Sequence, residues 1–126
     1  MESISAVAGE GTYTVKGTAV LCGQDVNMVF TGGTLPHAGA VSMGIYEPAR
    51  RSATVSTITA FTHRDDRLSA LGAKKAATAL ECIAVVAVGI HIDDADAREL
   101  KILCEHFDQC CNKLIQIIKE RRSSRK

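Results

Sequence analysis

Hydrophobic and polar residues alternate along much of the first half of the chain, and this period of two is typical of strands with one buried face. Four runs rich in Val, Thr and other β-forming residues are predicted to be strands: Thr12 to Leu21, Val26 to Phe30, Ala40 to Glu47 and Ala53 to Phe61. The segment Gly23 to Asp25 predicts a tight turn that joins the first two as a β-hairpin. Residues 1–10 are small and polar-leaning, and are predicted to be a loose N-terminus.

The second half of the chain changes to a helical period. Apolar residues and alanines recur at helical spacing from Asp66 to Leu80. A longer amphipathic pattern runs from Ala95 to Arg121, with Asp93 and Asp94 as N-cap candidates. Between these helices, Cys82 to Ile90 is almost entirely apolar, which indicates a strand in the centre of a sheet.

The order of these elements, β-β-β-β-α-β-α, predicts an α+β fold. We expect a single layer of about five mostly antiparallel strands, with two helices packed on one face. The length suits one domain over residues 1–126, in which the basic residues at 122–126 form a solvated helix end. The final helix is longer than such a sheet needs, and its sulfur-rich apolar stripe predicts packing on a neighbouring subunit as a homo-oligomer.

Composition and charge narrow the range of partners. A formal net charge of +1 argues against nucleic-acid binding, and no apolar run has the length of a membrane span. The five cysteines form no CxxC pair, which argues against a zinc finger or a disulfide framework. This cysteine usage favours a reducing, cytoplasmic compartment.

Three of the four histidines lie where predicted strands begin or end. His37 precedes the third strand, His63 follows the fourth and His91 follows the fifth. If strands two to four form an antiparallel meander, and strands four and five belong to a β-α-β unit, the three imidazoles share one edge of the sheet. Both helix N-termini and the Gly32-Gly33 turn point to that edge as well. We therefore expect a binding site there, in loops that a rigid scaffold holds.

Three interpretations of this edge stay open. Imidazoles and a helix-cap aspartate would form a metal site, although no HxxxH or HxH spacing supports it. Helix N-terminal amides, the glycine turn, Arg64 and the imidazoles would instead bind an anion, such as the phosphate of a nucleotide-like cofactor. In the third interpretation the histidines satisfy loop carbonyls and the aspartates cap helices. The aspartates concerned are Asp65, Asp66, Asp93 and Asp94.

Three segments carry a resemblance to a known family: His37 to Pro48, Thr62 to Leu68 and Val88 to Asp93. Their most specific parts are Gly-Ile-His-Ile-Asp at 89–93 and His-Arg-x-Asp at 63–66. Over about residues 12–120, the chain resembles the LpdD-like family of prenylated-flavin chaperones. Members of this family are found with UbiD-type gallate and hydroxybenzoate decarboxylases of aromatic compound degradation.

The resemblance implies a non-catalytic accessory protein. Such a protein would help the separate UbiD-type catalytic subunit to acquire, hold or mature prenylated FMN, or FMN, in a transient complex. We assign the flavin contacts to the predicted edge, with Arg64 as the phosphate partner. The cofactor-binding residues in this hypothesis are Gly32, Gly33, His37, His63, Arg64, His91 and Asp93.

Two other functions stay open. One is a small metal-dependent enzyme that uses His37, His63 and His91. The other is a structural subunit that docks on the decarboxylase through its C-terminal helix and does not contact the cofactor.

Overall fold

A computed structural model describes residues 2–34, 37–60 and 65–124 of the chain. In these residues one mixed sheet of six strands is covered by two helices, which confirms the predicted α+β class with one strand more than expected. The strands are β1 (Ser3–Ala8), β2 (Val15–Cys22), β3 (Asp25–Gly33), β4 (Ala40–Glu47), β5 (Ser52–Thr59) and β6 (Ile83–His91). The helices are α1 (Asp65–Leu80) and α2 (Ala97–Ser124).

The additional strand is β1, so the prediction of a loose N-terminus is wrong for residues 3–8. β1 pairs with β2 in antiparallel register along its whole length. Its side chains alternate, since Ile4 and Ala8 are buried in the core while Ser3 and Ser5 are exposed. Ser and Ala give only a weak strand signal, which explains why the sequence pattern did not reveal this element.

The strand order β1-β2-β3-β6-β4-β5 places β6 in the middle of the sheet, as its apolar sequence predicted. β6 is parallel to β3 and antiparallel to β4, so the predicted meander from β3 directly to β4 is wrong. A strand that is apolar on both faces is buried most completely when a neighbouring strand lies on each of its edges. This favours the observed position of β6 between β3 and β4. The β2–β3 hairpin and the β4–β5 pair form as predicted.

Both helices pack on the same face of the sheet. α1 lies over β4, β5 and β6, and its approach is close because a Cβ on Gly44 would overlap the carbonyl of Ala73. α2 covers β1 and β2, and its Phe107 ring meets Phe30 edge to face with the ring centroids 4.8 Å apart. Aliphatic residues and alanines form most of the rest of the core, together with Met28 and three cysteines.

The apolar stripe of α2 is buried against the chain's own sheet, which corrects the prediction that it packs on a neighbouring subunit. None of the helices in the described ranges is long and apolar enough to cross a membrane. The buried residues of α2 are Leu103, Phe107, Cys110, Cys111, Leu114, Ile115 and Ile118.

The N-terminus of α2 is closed by a capping box. The Glu99 N–H donates to Asp96 Oδ1 at 2.8 Å, and the Asp96 N–H donates to Glu99 Oε1 at 3.3 Å. Asp96 therefore caps this helix in place of the predicted Asp93 or Asp94.

The basic end of α2 is fastened to the fold, so the prediction of a solvated helix end is wrong for Arg122. Arg122 donates hydrogen bonds to the carbonyls of Leu80 and Gln24. Its neighbour Arg121 forms an ion pair with Glu2 at 2.8 Å. These contacts lie at the end of the sheet opposite the predicted histidine edge.

Candidate cofactor-binding site

One end of the sheet gathers most of the described residues that were predicted to form a site. Although β6 separates β3 from β4, β5 and β6 both run antiparallel to β4 and therefore parallel to each other. The last residue of β6, His91, pairs with Gly33 at the end of β3. We call this end the rim and define it by His37, Asp65, His91 and Asp93.

Asp65 connects the elements of the rim. Its side chain is buried, with the residue only 4% exposed. Its Oδ1 accepts a hydrogen bond from the Ile90 N–H at 3.2 Å, and its Oδ2 lies 3.2 Å from His37 Nε2. The carboxylate also stands in the first turn of α1, where the helix dipole favours a negative charge. A Cβ on Gly39 would overlap this carboxylate, so the close approach depends on glycine.

The two described histidines of the rim face each other. Their rings are T-shaped, with the centroids 5.9 Å apart and an interplanar angle of 85°. His91 Nε2 lies 2.8 Å from Asp93 Oδ1 on the exposed side. The backbone of His37 crosses so close to Gly89 that any Cβ there would overlap the His37 carbonyl. The predicted juxtaposition of His37 and His91 is therefore present, and each imidazole has an aspartate beside it.

Gly32 and Gly33 are the last two residues of β3, which corrects the prediction that they form a turn. The Gly33 N–H donates to the Thr14 carbonyl at 3.4 Å, and Gly33 has a positive φ of 78°. A Cβ on Gly33 would overlap the carbonyl of His91. The pair thus shapes the end of β3 against β6, and its glycines are required for close backbone approach.

His63 and Arg64 lie outside the described residues. Within the described ranges, no group of three or more His, Cys, Asp or Glu side chains is arranged to hold a metal ion. The fourth histidine, His106, is part of the scaffold, since its Nδ1 lies 2.6 Å from the carbonyl oxygen of Tyr13.

A groove between α1 and α2 was not predicted from the sequence. Its volume is about 820 Å³, and it reaches the rim because Asp65 and Ile90 form part of its wall. Leu71 on its wall is 61% exposed. The other apolar wall residues are Leu68, Ala79, Leu100, Leu103, Cys104, Phe107 and Cys111.

The groove forms because α1 presents small residues where α2 crosses it. Gly72 is buried, and a Cβ there would lie 3.0 Å from the Phe107 ring. The helices approach each other closely at this point, and Gly72 and Phe107 both line the groove between them. The glycine at position 72 of α1 is the sequence signal that could have indicated a close approach of the two helices.

Charge along the groove is mainly positive. Arg67 and Lys74 are exposed on its α1 side, while Lys75 forms an ion pair with Asp108 and donates to Asn112 at 2.9 Å. Burial raises the pKa of the Cys111 thiol in its wall to about 12, which keeps this thiol protonated near neutral pH. The chemistry of this surface is therefore that of an apolar slot with cations on one margin.

A family model of the prenylated flavin chaperone LpdD-like domain matches residues 9–119 of the chain. The chain belongs to this family. The match includes the rim, α1 and most of α2, so the groove between the helices lies within the LpdD-like domain. The family description supports a role as a prenylated flavin chaperone.

Solved structures show a similar fold in a protein of different sequence. The chain is similar to a chain in the crystal structure of a novel chaperone complex for yeast 20S proteasome assembly, with 15% identity and a TM-score of 0.63. The alignment covers 94% of this chain and 95% of that one, so the likeness concerns the whole LpdD-like fold. No curated protein matches the chain.

Proposed function

We propose that this LpdD-like chain is a non-catalytic accessory protein that holds prenylated FMN, or FMN, transiently for a UbiD-type aromatic acid decarboxylase. The observation that carries the proposal is the apolar groove between α1 and α2, which reaches the rim at Asp65. The cofactor would supply its decarboxylation chemistry in the partner enzyme. The residues of this chain would only bind, orient and shield it, in the cytoplasm where such enzymes act.

The size and lining of the groove support a flavin as its occupant. Sites for small molecules typically enclose ~300–1,000 Å³ and are mostly apolar, with a few placed polar groups. The groove has about 820 Å³. A flavin ring system is flat and apolar on both faces, and prenylation adds further apolar surface. Leu68, Leu71 and Phe107 would contact these faces.

The cations on the α1 margin suit the phosphate of the cofactor. Arg67 and Lys74 are exposed along the groove. Among the described residues the structure records no ion pair of either side chain, so pairing with a phosphate would break none. Arg64 is only three residues before Arg67 in the sequence and remains our candidate for a further phosphate contact.

The rim suits the polar edge of the isoalloxazine ring. That edge carries one N–H donor with a carbonyl acceptor on each side. A binding site must therefore offer hydrogen-bond donors to the carbonyls and an acceptor to the N–H. The imidazoles of His37 and His91 would provide donors and the exposed carboxylate of Asp93 an acceptor, while the buried Asp65 would hold His37 in place. His63 is retained as a candidate from the sequence. In this proposal Gly32 and Gly33 contribute by shaping the rim.

Binding of FMN, riboflavin and prenylated FMN to the purified chain would test the proposal. Leu71→Glu introduces a charge at an already exposed position of the wall, and we expect it to weaken all three ligands by about ten-fold or more, since burying a charge next to the ring is unfavourable. Arg67→Ala combined with Lys74→Ala should weaken FMN by roughly three- to ten-fold, as expected for exposed charge pairs, and leave riboflavin unchanged. Flavin fluorescence and native mass spectrometry would measure these affinities.

Lys101→Ala is the matched control, because Lys101 is an exposed lysine on α2 outside the groove. If His37→Ala and His91→Ala abolish binding while Leu71→Glu has no effect, the ring system binds at the rim and not in the groove. A wild-type chain that binds none of the three flavins would contradict the proposed holding function. Transfer of prenylated FMN to the decarboxylase apoenzyme, followed by its activity, would test the second half of the proposal.

A further inference from the structure

The face of the sheet opposite the helices is apolar and exposed. Seven large apolar residues on it are between 38% and 79% exposed, and six of these, which we call the open face, lie on four neighbouring strands. A sheet face that meets water normally carries polar residues at alternate positions, so this row of exposed side chains needs another explanation. The open face consists of Val29, Val41, Met43, Ile45, Ile58 and Ile83.

The strand register makes these residues one continuous patch. Val41 of β4 pairs with Ile58 of β5 on one side and with Ala87 of β6 on the other, and Ala87 in turn pairs with Val29 of β3. In the next row Met43 pairs with Val85, and in the row after that Ile45 pairs with Ile83. The patch therefore spans four neighbouring strands and three rows.

The centre of the patch carries no charged side chain. Its neighbours Thr18, Asn27, Thr54 and Ser56 are neutral. The charged residues Lys16, Asp25 and Glu47 lie at its margins, where Asp25 Oδ1 accepts a hydrogen bond from the Ile83 N–H at 2.9 Å. A partner recognised by charge would find no complementary group here. Two copies of this surface would bury an uncharged centre.

We propose that two copies of the chain pack through their open faces as a symmetric dimer. The exposed fractions of the six residues correspond to an apolar patch on the order of 500 Å², near the upper end of the ~300–600 Å² that a typical monomer exposes. With the bordering neutral residues, the area approaches the ~800 Å² per partner of a standard interface. The two sheets would stack about 10 Å apart with interdigitating side chains.

This arrangement leaves the helix layer on the outside of both protomers. The groove between α1 and α2 lies on the opposite side of the sheet from the open face, so a dimer would present two free grooves. The proposal stands independently of the flavin, because it uses no residue of the groove.

Oxidation of methionine in the wild-type chain is the first test. Met43 is 44% exposed at the centre of the open face, whereas Met28 is 1% exposed in the core and serves as an internal control. We expect peroxide to oxidise Met43 slowly at high protein concentration and several-fold faster on dilution, while Met28 stays protected throughout. Sedimentation velocity on the same dilution series would show the change from dimer to monomer.

Single substitutions then locate the interface. Met43→Lys should yield a monomer at concentrations where the wild type is a dimer, whereas Leu71→Lys, at an exposed apolar residue of the helix layer, should remain a dimer. A far-UV circular dichroism melt would show that both variants are folded. A wild-type chain that is monomeric at all concentrations would overturn the proposal, as would a Met43→Lys variant that still dimerises. Protection of Met43 only after addition of the decarboxylase subunit would assign the face to that partner instead.

Discussion

The two faces of the sheet are both apolar, yet only one is covered by the chain itself. On the helix-covered face, Met28 and Val86 are almost completely buried, whereas on the open face Met43 and Val29 remain about half exposed. The side chains are of the same kind, and in β3 they alternate within a single strand. A hydrophobic residue at a strand position therefore indicates an apolar face of the sheet, but it does not indicate which element packs on that face.

The covered face combines large side chains such as Phe30 and Met28 with glycines at the points where the helices come closest. A Cβ on Gly17 would overlap the Leu114 side chain of α2, and a Cβ on Gly44 would overlap the carbonyl of Ala73 in α1. The open face presents β-branched residues and Met43, which protrude and can interdigitate with a second sheet. The covered face therefore allows close packing of helices, whereas the protruding side chains of the open face suit packing against a second sheet.

The largest expected difference between the faces concerns stability. Phe107→Ala removes a buried ring that packs on Phe30, and we expect it to lower the free energy of unfolding by about 3–5 kcal/mol. Ile58→Ala, at a residue that is 79% exposed on the open face, should change it by less than about 0.5 kcal/mol when measured on the monomer at low concentration. Urea denaturation would measure both. A loss of several kcal/mol from Ile58→Ala would show that the open face is packed within the single chain.

The second comparison contrasts the covered and exposed carboxylates of the rim. Asp65→Ala leaves the Ile90 N–H without its acceptor and removes the partner of His37, so we expect a loss of about 1–3 kcal/mol. Asp93→Ala removes only an exposed pair with His91 and should cause little measurable change. The same urea titration would measure them. Equal losses in the two variants would contradict the connecting role of Asp65.

The smallest expected effect depends on pH. Burial keeps the Cys111 thiol neutral up to a pKa of about 12, compared with the ordinary 9.0, so stability is fully present below pH 9 and is lost as the pH rises towards 12. Cys111→Val should reduce the loss between pH 8 and pH 10 by on the order of 1 kcal/mol. Cys104→Ala, at an exposed thiol, is the control variant. Urea titrations at the two pH values would measure this difference.

Local patterns predicted most of the elements, and in β4 they predicted both ends, Ala40 and Glu47. They failed for β1, whose serines and alanines give little strand signal, and for the position of β6 between β3 and β4. The prediction that His37 and His91 lie close together is nevertheless correct. The directions of the strands, and not their order, decide that the start of β4 and the end of β6 lie at the same end of the sheet. The sequence did not reveal Asp65 as the connecting residue, since its role depends on Gly39 and Ile90 in two other elements.

The sequence by itself determined the α+β class, the amphipathic α2 and the resemblance to LpdD-like chaperones, because these depend on periodicity and on short motifs along the chain. Only the tertiary structure decided where the apolar surfaces are left uncovered. The groove beside Gly72 results from the distance between two helices, and the open face results from both helices packing on the same side of the sheet. Such features are set by contacts between residues far apart in sequence, which no local pattern records.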